Sequence, residues 1–257
     1  MMIVDHDYDR LREILLANSD IDISYYSKSF VLRRVTFRMS ICKVKDYNEY
    51  IRILKNDKKE VKELIKELSI NVTEFFRDRD VFDHFATLLK CYSNANILSI
   101  GCATGEEPYS IALIAKSNGI RCNIVAYDIN RNAINYAMQG CYSLKSIKNI
   151  PQHMLNTYFD TDGKNYYIKR EIKDMVRFEV KDVTKIDTCH FKNMYDFIFC
   201  RNMLIYIDNS IKERLISNIC NAIKVGGYLI IGKSESILTS NNLECINVRT
   251  KIYRRVK

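Results

Sequence analysis

Two adjacent glutamates, Glu106 and Glu107, follow a glycine turn, Gly101-Cys102-Ala103-Thr104-Gly105, which itself follows the apolar run 96–100. A glycine just past a strand lets a ligand approach the backbone closely at the carboxyl end of a sheet. Two glycines do not make the G-x-G-x-x-G fingerprint, and an ordinary strand-to-helix turn reads the same way. The glutamates bear on the charge of the ligand. Amides at a helix N-terminus welcome phosphate, whereas carboxylates there repel it. No lysine of the phosphate-loop kind follows the turn. A ligand with no phosphate, carrying a sulfonium and an amino group, suits these acids, and S-adenosylmethionine is such a ligand. For either glutamate the plain alternative is helix-dipole stabilisation, worth about 0.3–1 kcal/mol each.

Asp128 ends the second apolar run, 123–127, where an acid can accept both hydroxyls of a ribose. Lys181-Asp182-Val183 follows the third run, 176–180, and places Asp182 at an adenine edge or, equally, at a helix cap. The fourth run, 197–200, leads into Arg201, Asn202 and Tyr206, polar residues among apolar ones. In a doubly wound sheet that strand tip borders the reactive end of the cofactor. Satisfying backbone groups at a sheet edge is the competing reading of Asn202 and Tyr206.

These residues need a frame. Runs at 96–100, 123–127, 176–180, 197–200 and 228–231 are mostly separated by helix-like stretches, which predicts a parallel sheet wrapped by helices. Residues 243–248 and 251–256 lie close enough for an antiparallel hairpin. Before about residue 70 the apolar residues keep helical spacing instead: Val4, Tyr8, Leu11, Leu15; Tyr47, Tyr50, Ile51, Leu54; Val61, Leu64, Ile65, Leu68. Asp46-x-x-Glu49 reads as a capping box. A helix over 28–39 would carry Val31, Leu32, Val35 and Met39 on one side and present Arg34 and Arg38 on an exposed edge.

With 257 residues, the chain has room for one large or two modest domains. Eight glycines and two prolines leave little room for flexible linkers, which excludes collagen-like and disordered classes. The acidic start and the absence of an 18–20-residue apolar run argue against a signal peptide and a membrane span, so a soluble cytoplasmic protein is expected. Nine scattered cysteines with no C-x-x-C pair argue against a disulfide framework or a zinc site. The net charge of +9 is uneven. Residues 1–22 are acidic, whereas Lys28, Arg33, Arg34, Arg38, Lys43, Lys45, Arg52 and Lys55 make the next stretch strongly basic. Such clustering suits an acidic partner, and a solvated face is the bland alternative.

Four motifs, taken together and in order, resemble the CheR-type chemotaxis receptor methyltransferases. They are Asn71-Val72-Thr73-Glu74-Phe75-Phe76-Arg77-Asp78, Gly101 to Ser110, Phe199-Cys200-Arg201-Asn202-Met203-Leu204-Ile205-Tyr206, and Gly226-Gly227-Tyr228-Leu229 with Lys233-Ser234-Glu235-Ser236. The resemblance implies an S-adenosylmethionine-dependent α/β methyltransferase: a doubly wound sheet with an N-terminal all-α domain and a small inserted β-subdomain. It implies a docking domain over 1–70, a linker over 71–94 and a catalytic domain over 95–257, with the insertion at about 143–177. The implied reaction is methylation of glutamates on chemoreceptor cytoplasmic helices, giving glutamyl methyl esters and S-adenosylhomocysteine.

Carried over by motif, Glu107 meets the methionyl part of the cofactor, Asp128 the ribose, and Asp182 with Val183 the adenine region. Gly101 and Ala103 form the turn beneath it. Arg77 and Tyr206 lie near the transferred methyl, supported by Thr73 and Asn202. The charge map, rather than a motif, makes the basic helix with Arg33, Arg34 and Arg38 suited to docking onto the acidic helices of a receptor. Neither a metal nor nucleic acid nor membrane insertion is implied, and a monomer is the default. Lys233 stands where the family usually has histidine, and Cys102-Ala103-Thr104 replaces its common small-residue loop. A glutamate carboxylate is already ionised at neutral pH, so its methylation needs positioning rather than a strong base. An RNA or small-molecule methyltransferase and a non-catalytic cofactor-binding scaffold are the rival readings, although the fourth-strand motif lacks the N-P-P-Y of amino-methylases.

Overall fold

The computed structural model describes residues 5–19, 21–69, 73–185, 191–237 and 242–257. Val4, Asn71 and Val72, together with Cys189 among the nine cysteines, lie outside the described residues. The chain forms two compact units, residues 1–70 with 206–212, and residues 71–205 with 213–257.

The first unit is helical: α1 (Asp5–Asn18), α2 (Lys28–Ile41), α3 (Tyr47–Asn56) and α4 (Lys58–Leu68). Side-chain caps start α3 and α4. Asp46 accepts from the Glu49 amide, and Asp57 accepts from the amides of Lys59 and Glu60. Tyr47, Tyr50, Ile51 and Leu54 of α3 are buried, as are Val61, Leu64 and Leu68 of α4. Tyr8 of α1 donates to the Ile23 carbonyl at 2.7 Å, and Arg12 forks onto Asp22 with two 2.7 Å bonds. The segment 206–212 belongs here because Ser27 N donates to Tyr206 O and Asp208 N donates to Tyr25 O, both at 2.9 Å.

Arg38 corrects one expectation. Instead of standing on an exposed edge beside Arg34, it is 8% exposed and forks onto Glu60, with Nε 3.0 Å from Oε1 and Nη2 2.5 Å from Oε2. Tyr50 donates to the same carboxylate at 2.7 Å. Its position explains this: Val31, Val35 and Arg38 fall on one buried face of α2, so the guanidinium enters the bundle and is neutralised there. Arg33 is exposed, and Arg34 is half-buried with its guanidinium over the Phe30 ring and 3.8 Å from Glu67.

The second unit opens with α5 (Arg79–Leu89) and is built on a seven-stranded sheet ordered β6-β2-β1-β7-β8-β10-β9. Its parallel strands are β1 (Asn94–Ile100), β2 (Arg121–Asp128), β6 (Val176–Val180), β7 (Tyr195–Cys200) and β8 (Ile223–Ile231). The hairpin β9 (Leu243–Asn247) and β10 (Ile252–Arg255) adds antiparallel to β8. Continuous apolar strands result because both faces are covered. Ala95 and Ile97 of β1 pack in one cluster with Phe82 and Phe85 of α5 and Ile111 and Ala112 of α6 (Glu106–Ser117). Leu98 and Ile100 join the opposite cluster with Leu215, Ile216 and Ile219 of α11 (Asn209–Ala222).

Between α7 (Arg131–Gln139) and β6 a second, three-stranded sheet is inserted, ordered β3-β5-β4, from β3 (Cys141–Ser143), β4 (Phe159–Thr161) and β5 (Asn165–Ile168). Short helices α8 (Leu144–Ile147) and α9 (Gln152–Tyr158) connect its first two strands, and α10 (Arg170–Lys173) leads back to the large sheet. Among the described residues no helix is long and apolar enough to cross a membrane.

Candidate active site

The strand order reverses at β1, so the turns after β1 and β7 open side by side at the carboxyl edge of the sheet, where such folds bind ligands. The β1 turn runs through left-handed backbone, free of cost at its glycines and strained at Ala103. Gly101 and Gly105 have φ of +72° and +93°, and Ala103 has φ of +47° without being glycine. A Cβ on Gly105 would stand 2.8 Å from the Cβ of Ala137, so this turn packs against α7 only with glycine there. The amides of Gly101 and Cys102 donate to Tyr127 O at 2.8 and 3.0 Å, and the Ala103 amide donates to Asp128 Oδ2 at 2.8 Å. Asp128 Oδ1 accepts from Asn130 N at 2.8 Å. Each carboxylate oxygen therefore keeps acceptor capacity, in a geometry fixed by backbone. Burial pushes the Asp128 carboxyl above its ordinary range, against the pull of those amides.

The paired glutamates diverge. Glu107 turns back toward the strand ends, where Oε1 accepts from Ser99 Oγ at 2.8 Å and Oε2 lies 3.3 Å from Arg201 Nη1. Glu106 is buried, accepts from Thr104 Oγ1 at 2.6 Å, and lines an open cleft of about 590 Å³ with Thr73, Glu74, Arg77, Thr104, Tyr136, Lys145, Ser146 and Lys148. Burial raises both carboxyls, and at Glu107 the Arg201 guanidinium opposes the rise.

Arg201 is the residue whose function the sequence reading left unassigned. Its side chain is 2% exposed, and its Nη2 donates to Arg77 O at 2.8 Å and to Asp78 Oδ2 at 2.6 Å. One guanidinium thus holds the segment carrying Arg77 and the carboxylate of Glu107 together. The signal was present: a charged residue directly follows a strand buried at every position.

Asn202 follows in the left-handed region, φ +58°, with its amide bonded to Glu235 Oε2 at 2.9 Å. Met203 covers Gly101, where a Cβ would meet its sulfur at 3.4 Å. Asp182 caps a short turn through Thr184, and its neighbour Lys181 N donates to Asp128 O at 2.9 Å, so the two acids share a wall. Asp182 Oδ2 is buried and accepts no hydrogen bond, although Lys185 Nζ lies 3.3 Å away. Val183 is buried beside Leu98, Ile100 and Tyr127, lining a small apolar cavity. Tyr206 sits in the helical unit, its ring 4.9 Å from that of Phe30.

Gly101, Ala103, Glu107, Asp128, Asp182 and Asn202 are thereby brought around the neighbouring tips of β6, β2, β1 and β7, and Thr73 and Arg77 line one cleft. The donor set fits S-adenosylmethionine: fixed carboxylates for hydroxyl and ammonium groups, a glycine turn open to close approach, and a buried Asp182 oxygen that accepts no hydrogen bond and keeps capacity for an amino group beside its ion pair with Lys185. No basic side chain is offered to a polyphosphate by the turn itself.

Two family models match the chain. "CheR methyltransferase, all-alpha domain" covers residues 6–69, and "CheR methyltransferase, SAM binding domain" covers residues 71–253. The chemotaxis protein methyltransferase of Borreliella burgdorferi is 30% identical over 263 residues, spanning 95% of this chain and 93% of its own. Chemotaxis protein methyltransferase 2 of Vibrio cholerae is 29% identical, spanning 92% and 88%. A probable biofilm formation methyltransferase, WspC of Pseudomonas aeruginosa, is 28% identical over 96% of this chain and 61% of its own. Among solved structures, the N-methyltransferase NodS of Bradyrhizobium japonicum with S-adenosyl-L-homocysteine shares 18% identity over 62% of each chain at a TM-score of 0.38, too slight a likeness to bear on chemistry. The order of the motifs, the two-unit architecture and full-length relatives at this identity agree: the chain belongs to the CheR methyltransferase family and uses S-adenosylmethionine as its cofactor.

Proposed function

We propose that the protein methylates glutamate side chains on the cytoplasmic helices of chemoreceptors, forming glutamyl methyl esters, and that it works in the cytoplasm. The observation that carries this reading is the cleft wall. Arg77 and Lys145 line it with Lys148, whose Nζ pairs with Glu74 at 3.3 Å, so a carboxylate entering beside the cofactor turn has Arg77 and Lys145 to meet it. When bound, S-adenosylmethionine supplies an electrophilic methyl group on a sulfonium.

The residues of this chain do the rest by positioning. Glu107 and Asp128, held by Ser99, Arg201, Ala103 and Asn130, engage the ammonium and ribose ends of the cofactor. Asp182 takes the adenine region and Val183 its apolar underside. Thr73 and Asn202 support the site, and Arg77 orients the incoming carboxylate. Tyr206 keeps the role its motif implies, a hydrogen bond near the reacting atoms. The nucleophile is ionised at neutral pH, so in-line alignment and exclusion of water carry the rate. Too tight a pairing with Arg77 would stabilise the nucleophile and slow attack, so its contribution is orientation. Arg33 and Arg34 supply charge for an acidic helical partner, whereas Arg38 acts inside the bundle.

The test is partition of label. Methyl-labelled cofactor incubated with receptor membranes and, separately, with RNA should label receptor protein in a base-labile form. Label in RNA, or base-stable label in protein, would contradict the reading.

A further inference from the structure

Beyond β8 the chain makes a tight turn, Glu235 N donating to Gly232 O at 2.9 Å, and this turn reaches in two directions. Inward, the Glu235 carboxylate is 1% exposed and accepts three amides: Gly232 at 2.6 Å, Asn202 at 2.9 Å and Ile205 at 3.3 Å. An ionised carboxylate is an acceptor only, which suits three converging donors. Glycine is required at 232, because a Cβ there would lie 2.7 Å from Glu235 Oε2 and 2.8 Å from both Asn202 N and Asn202 Nδ2. Asn202 adopts left-handed backbone, and its amide is bonded in that conformation to Glu235 Oε2 at 2.9 Å.

Outward, Lys233 Nζ lies 2.6 and 2.7 Å from the two oxygens of Asp80, in the first turn of α5. Asp80 stands three residues after Arg77, on a segment that also bends through left-handed conformations at Phe76 and Asp78. Arg201, the residue before Asn202, ties the same segment through Arg77 O and Asp78 Oδ2. With Arg249 Nε 3.3 Å from the same Asp80 carboxylate, three ties from neighbouring segments converge on the stretch that carries Arg77, the Lys233 pair being the shorter of the two to Asp80. Lys233 occupies the position where the family resemblance expects histidine, so this outward tie is a feature of this chain's own residues.

We propose that the turn Gly232 to Glu235 is a positioning clamp for methyl transfer: Glu235 fixes the Asn202 loop over the cofactor turn, and Lys233 fixes Asp80 and with it Arg77. The inward half concerns cofactor binding alone, and the outward half rests on the proposed role of Arg77 toward the acceptor. Neither Glu235 nor Lys233 touches the reacting atoms, and both act through other residues.

The experiment separates the halves. Glu235→Gln keeps the shape but sets an amide N–H₂ against backbone donors, so S-adenosylhomocysteine affinity measured by calorimetry on the full chain should weaken roughly tenfold or more, the scale of one charge-assisted bond. Lys233→Ala, at a part-exposed site, should leave that affinity unchanged and lower kcat for receptor methylation about three- to tenfold with KM little altered, because orientation of Arg77 is lost. The swap Lys233→Asp with Asp80→Lys should recover rate relative to either single change. Parent-like affinity in Glu235→Gln, with only a lower melting temperature, would reduce Glu235 to fold stability and overturn the inward half. Parent-like kcat in Lys233→Ala, or no recovery in the swap, would overturn the outward half. If Glu235→Gln does not fold, hydrogen exchange of the Asn202 and Ile205 amides in the folded Lys233→Ala and parent proteins decides the inward half, protection below that of neighbouring loop amides counting against it. If the parent transfers no methyl to receptor, the acceptor reading fails while the affinity measurement still decides the inward half.

Discussion

Arg201 places Nη1 3.3 Å from Glu107 and Nη2 2.6 Å from Asp78, so a buried guanidinium joins the helix that follows β1 to the segment that carries Arg77. Breaking a buried pair by removing one partner leaves the other charge uncompensated, at a cost of about 3–5 kcal/mol. Arg201→Ala is therefore expected to lower stability by that order and to weaken S-adenosylhomocysteine binding. Thermal melts and calorimetry on the same preparation check it. Unchanged melting and unchanged affinity would remove Arg201 from the site.

Acid should release the cofactor product before it unfolds the protein. Burial raises the carboxyls of Asp128 and Glu107, so on lowering the pH they protonate earlier than ordinary side chains at about 4. Their ionised forms bind the hydroxyl and ammonium groups, and protonation removes that attraction. S-adenosylhomocysteine affinity is expected to fall on acidification, at a higher pH than ordinary carboxyls would give. An affinity constant down to pH 4, in protein shown to be folded, would contradict the assignment.

In the helical unit the charge pair runs the other way. Burial would raise Glu60, but hydrogen bonds from Arg38 and Tyr50 outweigh it and hold the carboxyl below the ordinary range. A depressed folded pKa means stability that is present above the unfolded value of about 4.3 and lost as pH falls through the folded one. Arg38→Ala is expected to cost about 3–5 kcal/mol by stranding Glu60. Denaturant unfolding of Arg38→Ala against Arg33→Ala checks this, since the exposed Arg33 should change stability by no more than about 0.5 kcal/mol.

Docking charge should behave differently from site charge. Arg33→Glu with Arg34→Glu is expected to weaken receptor methylation, more strongly at low salt, with S-adenosylhomocysteine affinity unchanged. Steady-state rates at two ionic strengths and one calorimetric titration test it. Equal loss of both properties would show damage to the fold rather than a docking surface.

The large sheet was legible because its central strands are buried on both faces, so each leaves a run of apolar residues that periodicity detects. The three short strands β3, β4 and β5 carry Cys141, Asp160, Thr161 and Asn165 and leave no such run; only the family resemblance pointed to an insertion there. The placement of Glu107, Asp128 and Gly101 beside strand tips was legible because short apolar runs mark where the strands end. Arg38 was misread because its partner, Glu60, is 22 residues away and a charge on an apolar face looks exposed until that partner is known. Arg201 and Glu235 escaped assignment for the same reason. Their roles lie in long-range bonds to Glu107, Asp78 and Asn202, which spacing along the chain does not encode.

A glutamate side chain is the expected acceptor of the methyl group. Receptor incubated with S-adenosylmethionine and the protein, then digested and mapped by mass spectrometry, tests it most directly. One added methyl is expected on particular glutamates, removed by mild alkali, with a rate lowered by roughly a hundredfold in Arg77→Ala and Tyr206→Phe, the scale of lost alignment. Alkali-stable methylation on other side chains, or full rate in both variants, would contradict it.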